Sequence, residues 1–273
     1  MSIQSVIESL QKSKASYKDK EQFLHRCRIE LDYFVYSYLK DIYGPTLSTN
    51  WSTCTIPRIS EKAIVIVERR CHPNLQFIIQ NAAYFARGYS LHIICSQANL
   101  AFVEEVCGSQ LSSIHIYPAF KDIGTVESGK MEYNTLLKTY GFWDTFTEDY
   151  ILCMETDSYL LRPLPDILCK YNYVASRWHW IPAQAGGGGL SHRKRSFMLE
   201  ICSIPQLQQY QMQDTFASEG LRLLQYPILE DDLFCETACK VGTIGTHQWW
   251  TFVCDCNEEQ LETYLSTFLT LQI

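Results

Sequence analysis

The sequence DYILCMETDSYLL, residues 149–161, joins an apolar run to two acidic residues. Residues 150–154 have the length of a strand, and Glu155 and Asp157 follow at its end. A strand covered on both faces is continuously apolar, and ligands of open α/β sheets collect at the carboxyl ends of such strands. Because strand side chains alternate, Glu155 and Asp157 are expected to point to the same side and can share one divalent cation. The alternative is a solvated strand end with two surface acids.

The flanking sequence alternates strand and helix patterns. Apolar runs at residues 63–67, 91–95 and 114–117 predict further strands, and helical spacing predicts helices at 75–86, 97–107 and 133–146. Strands that alternate with helices imply right-handed crossovers and neighbouring parallel strands. The predicted fold class is therefore α/β, with a mostly parallel central sheet and flanking helices.

Two regions are predicted. Residues 1–45 have an apolar stripe at helical spacing, ended by Gly44-Pro45, and are expected to form a helical appendage that packs but carries no chemistry. Residues 60–273 are expected to form a single domain, since the chain's 273 residues suit one decorated α/β domain. A further helix is predicted over 195–204.

Charge and composition exclude some classes of protein. A formal net charge of -7 argues against nonspecific nucleic-acid binding, and the basic cluster at residues 192–195 is too short to hold a polynucleotide. Residues 1–20 lack the apolar core of a secretory signal, and no window predicts a membrane span, so a cytoplasmic protein is expected. The 12 cysteines are expected to be reduced thiols, because several of them (Cys95, Cys153, Cys202) lie within apolar strand-like or helix-like runs. The pairs Cys235/Cys239 and Cys254/Cys256 argue little for a zinc site, because neither has the spacing of a zinc finger or ribbon.

Three further segments are candidates for a ligand site. Four glycines at 186–189 follow Trp178 and Trp180, which suggests backbone that approaches a ligand beside an aromatic platform; the alternative is a flexible loop. Residues 230–232 form a second acidic corner, and His247 lies just before two tryptophans.

Several short blocks occur in a characteristic order over residues 60–252. They are Val67-Glu68-Arg69, His72-Pro73-Asn74-Leu75, Phe142-Trp143, Glu155-Thr156-Asp157-Ser158, Tyr171-Asn172-Tyr173-Val174, Gly188-Gly189-Leu190-Ser191, Glu230-Asp231 and His247-Gln248-Trp249. In this order they resemble the nucleotide-sugar-dependent glycosyltransferases of the GT-A fold. The resemblance is closest to a small, little-characterised family of these from bacteria and large viruses.

The resemblance implies a Rossmann-like GT-A domain that takes a nucleoside-diphosphate sugar as donor and a carbohydrate or glycoprotein hydroxyl as acceptor. Asp157 and His247 would bind a divalent cation, and Glu155 would bind it through water or touch the ribose. Imidazole beside carboxylates favours Mn²⁺ over Mg²⁺. Glu68 and Arg69 are the implied donor-binding residues at the first strand.

Gly188 and Gly189 complete the donor-binding residues that the resemblance implies.

Two positions depart from the family pattern. Glu155 stands where Gln is usual, which brings the motif closer to the Asp-x-Asp of metal-dependent relatives. Gly187 stands where Asn is usual, which leaves the identity of the acceptor open.

The proton of the acceptor hydroxyl needs a base. A single displacement requires a carboxylate facing the donor, and Asp231 is the candidate general base of an inverting hexosyl- or pentosyltransferase. A helix N-cap is the alternative role for Asp231. Retention or inversion, the sugar, the acceptor and the oligomeric state are not determined by the sequence.

Two other functions remain open at this level. One is a catalytically silent module of the same fold that binds a nucleotide or glycan, since fold does not fix function. The other is a nucleotidyltransferase, although no Gly-rich, Lys-containing loop follows the first strand to bind a triphosphate. Glu155, Asp157, Asp231 and His247 together favour the enzyme, because a binding module needs no proton acceptor.

Overall fold

The computed structural model describes residues 3–120, 126–178, 181–236, 242–251 and 253–273. The helices are α1 (Ile3–Ser13), α2 (Lys20–Thr53), α3 (Leu75–Phe85), α4 (Leu100–Cys107), α5 (Val126–Leu136), α6 (Tyr140–Asp144), α7 (Arg195–Cys202), α8 (Gln213–Leu223) and α9 (Glu258–Phe268). The strands are β1 (Lys62–Val67), β2 (Ser90–Ser96), β3 (His115–Phe120), β4 (Tyr150–Met154), β5 (Ser158–Leu160), β6 (Tyr173–Ala175), β7 (Arg177–Trp178), β8 (Ile181–Ala185), β9 (Leu190–Lys194), β10 (Phe234–Cys235) and β11 (Gly245–His247).

Within these residues the central sheet has six strands in the order β3-β2-β1-β4-β9-β6. Strands β1 to β4 are mutually parallel, and β9 runs antiparallel to both β4 and β6. Helices pack on both faces. The fold class is therefore α/β with a mostly parallel sheet and flanking helices, as predicted.

The register explains why chemistry collects at one edge. Ile64 of β1 pairs with Leu91 of β2 and Leu152 of β4, so these parallel strands end together. Because β9 is antiparallel to β4, with Met154 opposite Leu190, the glycines before β9 lie at the edge where β4 ends. The peptide N–H of Glu155 donates to the carbonyl of Gly189 (2.8 Å) and joins the two turns.

Side chains of β1 alternate between two apolar cores. Ile64 and Ile66 belong to the core shared with α2, α3 and α9, whereas Ala63 and Val65 belong to the core shared with α6, α7 and α8. Each of these four side chains is at most 1% exposed. A parallel strand covered on both faces accounts for the uninterrupted apolar run in the sequence.

The N-terminal helix differs from the prediction. The sequence predicted an end at Gly44-Pro45, but α2 continues to Thr53 with Pro45 inside it. Proline removes one helix hydrogen bond. Beyond it, Leu47 and Trp51 are buried in the core, and this packing holds the last turns in place.

The single helix predicted over 133–146 is also wrong in its bounds. Two helices, α5 and α6, occupy this part of the chain, separated by residues 137–139. The indole N–H of Trp143 donates to the carbonyl of Leu137 (2.8 Å), a bond that turns the chain back on itself. None of the described helices is long and apolar enough to cross a lipid bilayer.

Asn81 of α3 anchors the short strand β5. It is fully buried, its Nδ2 donates to the carbonyl of Leu160 (2.9 Å), and its Oδ1 accepts from the peptide N–H of Leu160 (2.7 Å). A side-chain amide thus replaces a neighbouring strand. Since β5 follows Asp157 directly, Asn81 helps to fix the position of the acidic turn.

We expect Asn81→Ala to lower the free energy of unfolding by about 2–4 kcal/mol, because it leaves both peptide groups of Leu160 buried without partners. Urea unfolding followed by circular dichroism measures this value. Gln76→Ala is the matched control, since Gln76 is exposed on the same helix and should change stability by no more than about 0.5 kcal/mol. Equal stability of the two variants would contradict the anchoring role.

Candidate metal centre

Glu155, Asp157 and His247 lie together at the carboxyl edge of the sheet. One ligand atom from each lies within 4.8 Å of the others. Nε2 of His247 is 3.2 Å from Oδ1 of Asp157 and 3.7 Å from Oε2 of Glu155. Two carboxylates and an imidazole nitrogen thus face a common point.

Strand pairing outside the main sheet brings His247 to this point. β11 is antiparallel to β5, with His247 opposite Ser158, which places the imidazole beside Asp157. β10 is parallel to β11, with Cys235 opposite Thr246, so Glu236 follows at the same edge. Oε1 of Glu236 is 3.3 Å from Nδ1 of His247.

The close charges shift the ionisation of the cluster. Burial alone would lower the pKa of His247, but the charge of Asp157 and the contact with Glu236 raise it well above its ordinary value. Burial alone would raise the pKa of Asp157, yet His247 and Arg28 hold it far below its usual range. For Glu155, burial and the charge of Asp157 outweigh the attraction of His247 and raise the pKa.

The two oxygens of Asp157 have different environments. Oδ2 accepts hydrogen bonds from Nη2 of Arg28 (2.9 Å) and from the side-chain amide of Gln248. Oδ1 is buried and, within the described residues, makes no contact with hydrogen-bond geometry. A buried carboxylate oxygen without such a bond, facing an imidazole nitrogen, is an acceptor available to a cation.

Each of the four glycines packs against a side chain of the site. A Cβ atom at Gly186 would overlap Trp178, one at Gly187 would overlap Ser176 and approach Glu236, and one at Gly188 would overlap Gln213. A Cβ at Gly189 would overlap the imidazole of His247. Gly187 also has a φ of 61°, in the left-handed region. A side chain at any of these four positions would displace a neighbour. The run is therefore a closely packed turn, which argues against the flexible loop. Trp180, one of the two residues of the expected aromatic platform, lies outside the described residues.

The buried Arg193 supports this turn from below. Its guanidinium lies 5.6 Å from the ring of Trp143 and 5.3 Å from the ring of Tyr173, and it donates to the carbonyl of Gly188 (3.3 Å) and to Oε1 of Gln213. His192 and Arg193 are fully buried, so residues 192–195 do not form a basic surface cluster. The Phe142-Trp143 block thus contributes to the floor of the site.

Glu68 and Arg69, the predicted donor-binding pair, have separate environments. The carboxylate of Glu68 is 4% exposed and accepts from Nε and Nη2 of Arg70 (both 2.8 Å) and from Oγ1 of Thr156 (3.0 Å). Burial raises the pKa of Glu68, but these bonds with Arg70 outweigh it and lower the pKa. The guanidinium of Arg69 instead lies against Gly129 of α5. Glu68 therefore braces the acidic turn through Thr156.

Within the described residues, Asp231 is not bonded to the residues of the cluster. It is exposed in a bend before β10, so the helix N-cap considered for it is wrong. Among the described residues no hydrogen bond or ion pair joins it to Asp157 or His247. Its neighbour Asp232 is held by Arg177, with Oδ1 2.9 Å from Nε.

Sequence reasoning missed three residues of the site. Glu236 contacts His247, Gln248 bridges Asp157 and His247, and Arg28 reaches Asp157 from α2. Gln248 had a signal, since it adjoins the candidate His247. Arg28 had none, because 129 residues separate it from Asp157.

One cavity lies elsewhere. It has a volume of about 270 Å³ and is lined by the ends of α2 and α3 and by Ile64, Tyr89 and Leu91 near the amino ends of β1 and β2. Its lining has no carboxylate or imidazole, so it does not offer the chemistry of the cluster. Cys239, of the cysteine pairs considered for zinc, lies outside the described residues.

The fold and the cluster together define an α/β protein with a candidate metal centre at the carboxyl edge of its sheet. A family model described as "Protein of unknown function (DUF5672)" matches residues 120–240. No curated protein matches the chain. A solved structure similar to this chain is the apo form of mouse xyloside xylosyltransferase 1, with 7% sequence identity, a TM-score of 0.47, and coverage of 68% of this chain and 97% of that one.

We expect Gly189→Ala to lower the free energy of unfolding by about 1–3 kcal/mol, because the new methyl group overlaps the His247 ring and forces it to move. Gly141→Ala is the matched control. A Cβ at Gly141, on α6, meets nothing within 4 Å, and alanine is the better helix former by about 1 kcal/mol. Urea unfolding of both variants is the measurement, and a Gly189→Ala protein as stable as the wild type would show that His247 is not packed on this turn.

Proposed function

We propose that the protein is a metal-dependent glycosyltransferase of the GT-A type that transfers a sugar from a nucleoside-diphosphate sugar to a hydroxyl group of a carbohydrate or glycoprotein acceptor. The observation that carries the proposal is the cluster of Glu155, Asp157 and His247 at the carboxyl edge of a mostly parallel sheet. The resemblance of the sequence blocks to nucleotide-sugar enzymes supports the same class.

The donor atoms of the cluster suit a divalent cation. Oδ1 of Asp157, Nε2 of His247 and a carboxylate oxygen of Glu155 form a mixed oxygen and nitrogen set, which favours Mn²⁺, with Mg²⁺ as the second choice. Metal-binding histidines commonly donate their other ring N–H to a carboxylate, and Glu236 is placed to accept it. When bound, such an ion would act as a Lewis acid that offsets the charge of a diphosphate leaving group.

The side chains around the cluster orient its ligands. Oε1 of Glu236 lies 3.3 Å from Nδ1 of His247, and Nε2 on the other side of the ring faces Oδ1 of Asp157 and the side-chain amide of Gln248 (2.7 Å). Gln248 holds Oδ2 of Asp157 and keeps Oδ1 turned toward His247. Two ligands fixed in this way lose little conformational freedom when a cation binds, so binding is favoured.

We assign donor contacts beyond the metal to Arg69 and to the backbone of Gly188 and Gly189, as the resemblance implies. The glycine turn supports this role, since it lies against His247 and leaves no side chain between β9 and the cluster. We assign Glu68 an indirect role in donor binding. Its carboxylate accepts a hydrogen bond from the hydroxyl of Thr156, the residue before Asp157.

The proton acceptor we propose is Asp231, in an inverting transfer. Glu236 is held by His247 and by Ser176 (3.3 Å), and Asp232 by Arg177, whereas Asp231 is exposed and accessible to an acceptor sugar. Asp231 would accept the proton of the attacking hydroxyl as the new glycosidic bond forms.

We expect Asp157→Asn to abolish Mn²⁺ binding at this site and, with it, the binding of uridine or guanosine diphosphate. The amide keeps the shape of the carboxylate but loses the negative charge that a cation requires. Isothermal titration with Mn²⁺, and then with each nucleotide in the presence and absence of Mn²⁺, is the measurement. Asp166→Asn is the matched control, because Asp166 is almost fully exposed and pairs with Lys62 at the surface. Mn²⁺ affinity in Asp157→Asn equal to that of the control would refute the metal assignment.

We expect Asp231→Asn to slow turnover by about 10²- to 10⁴-fold at saturating donor and acceptor, because asparagine cannot accept the proton. A screen of nucleotide sugars with Mn²⁺, read as release of nucleoside diphosphate, first identifies the donor. Mn²⁺ affinity should not change, and the neighbouring Glu230→Gln is the control for the loss of one surface charge. Unchanged turnover removes Asp231 from the mechanism, and nucleotide binding without turnover in the wild type points instead to a catalytically silent binding module.

A further inference from the structure

The side chain of Arg28 reaches the candidate metal centre from helix α2, a segment that the sequence assigned to packing alone. We propose that Arg28 binds the diphosphate group of the donor and that α2 is therefore part of the active site. The inference rests on the proposed function, since it requires a diphosphate beside Asp157.

The backbone of Arg28 is fixed by the segment that carries the metal-centre residues. Nε1 of the fully buried Trp250 donates to the carbonyl of Arg28 (3.1 Å). One face of α2 is also held by Tyr36, whose ring meets that of Trp250 edge to face at 5.7 Å. His247 and Gln248 directly precede Trp249 and Trp250 in the chain. The contacts of Trp250 with α2 therefore fix the position of the helix relative to the cluster.

The side chain of Arg28 is placed between the cluster and solvent. Its Nη2 is 2.9 Å from Oδ2 of Asp157, yet 46% of the side chain is exposed, compared with 15% for Asp157. The bond to Asp157 uses one of five guanidinium N–H donors. An anion that arrives at the Asp157 side from solvent can therefore reach the guanidinium without displacing a buried group.

The negative charge of the site favours a guanidinium group beside a bound diphosphate. Glu155, Asp157 and Glu236 surround His247, and Asp32 lies one turn beyond Arg28 on α2, so a diphosphate would meet several carboxylates. Burial, and to a smaller extent the charge of Asp157, raise the pKa of Asp32 to about 6, so Asp32 lies close enough to Asp157 to be affected by its charge. One divalent cation cannot offset both the carboxylates and the diphosphate.

Arg70 also lies near the acidic turn, but its guanidinium is already engaged. Arg70 pairs through two nitrogens with the buried carboxylate of Glu68. Within the described residues the Arg28 side chain makes one hydrogen bond, to Oδ2 of Asp157, and its planar fork matches two phosphate oxygens. In the ligand-free protein Asp157 holds this fork in place, and in the complex the fork contacts the diphosphate that the cation also binds.

The test compares Arg28→Gln with Arg26→Gln. Arg26 lies on the same helix, roughly 200° away around its axis, and pairs with Glu30 and Tyr17. Both changes remove one positive charge from α2, and neither removes the main-chain bond to Trp250. Inorganic pyrophosphate is the probe, titrated at saturating Mn²⁺, because it carries the diphosphate without a base or sugar. Mn²⁺ alone is titrated separately.

We expect Arg28→Gln to weaken pyrophosphate binding about 10- to 100-fold relative to Arg26→Gln, because the variant loses a charge-assisted hydrogen bond to the diphosphate. Affinity for Mn²⁺ alone should be unchanged or tighter, since a neighbouring positive charge has been removed. Arg28→Lys, which keeps the charge but not the fork, should fall between the two.

Two results would overturn the role of Arg28. One is pyrophosphate affinity equal in Arg28→Gln and Arg26→Gln. The other is equal weakening of Mn²⁺ alone and of pyrophosphate in Arg28→Gln, which would mean that Arg28 only positions Asp157. Pyrophosphate binding by the wild type that does not depend on Mn²⁺ would refute the metal assignment instead, and the ratio between the two variants would still decide the role of Arg28.

Discussion

The candidate metal centre depends on the pairing of β4 with a parallel strand on one side and an antiparallel strand on the other. The register with β1 determines the edge of the sheet at which β4 ends, and the antiparallel strand β9 begins at that same edge. An acidic turn and a glycine turn, separated by about thirty residues of sequence, are thereby placed side by side and joined by the bond from Glu155 to Gly189. A register slip of one residue in β9 would turn His192 and Arg193 to the opposite faces of the sheet and remove the support beneath the glycines.

The candidate site depends on polar groups that are buried for structural reasons. Arg193 supports the glycine turn, Glu68 braces Thr156, and Asn81 fixes the strand after Asp157. Each of them satisfies main-chain or side-chain groups that would otherwise be buried without partners. The carboxylates of Glu155 and Asp157 are thus held close together against their mutual repulsion, and this strain is what a cation or His247 relieves.

The sequence predicted the parts of the fold that have a regular pattern. Strands β1, β2 and β4 and helix α3 follow from apolar runs and helical spacing, and the edge position of Asp157 follows from the end of such a run. The acidic corner at 230–232 indicated Asp231, whereas the nearby carboxylate that the structure places against His247, beside those of Asp157 and Glu155, is Glu236. β10 has only two residues, so no periodic signal marks the strand that delivers Glu236. Arg28 depends on how a distant helix docks, which local patterns do not encode, and the extension of α2 past Pro45 depends on the burial of Leu47 and Trp51.

The assembly of the site from three widely spaced segments has a consequence for folding. Arg28, Asp157 and the 245–250 segment come from the beginning, the middle and the last tenth of the chain, so their contacts have a high sequence separation and close late. During synthesis the sheet and α2 leave the ribosome well before β11 does. Until then Trp250 is missing, so the Arg28 carbonyl has no indole partner and the part of the apolar face of α2 around Tyr36 that Trp250 later covers stays open.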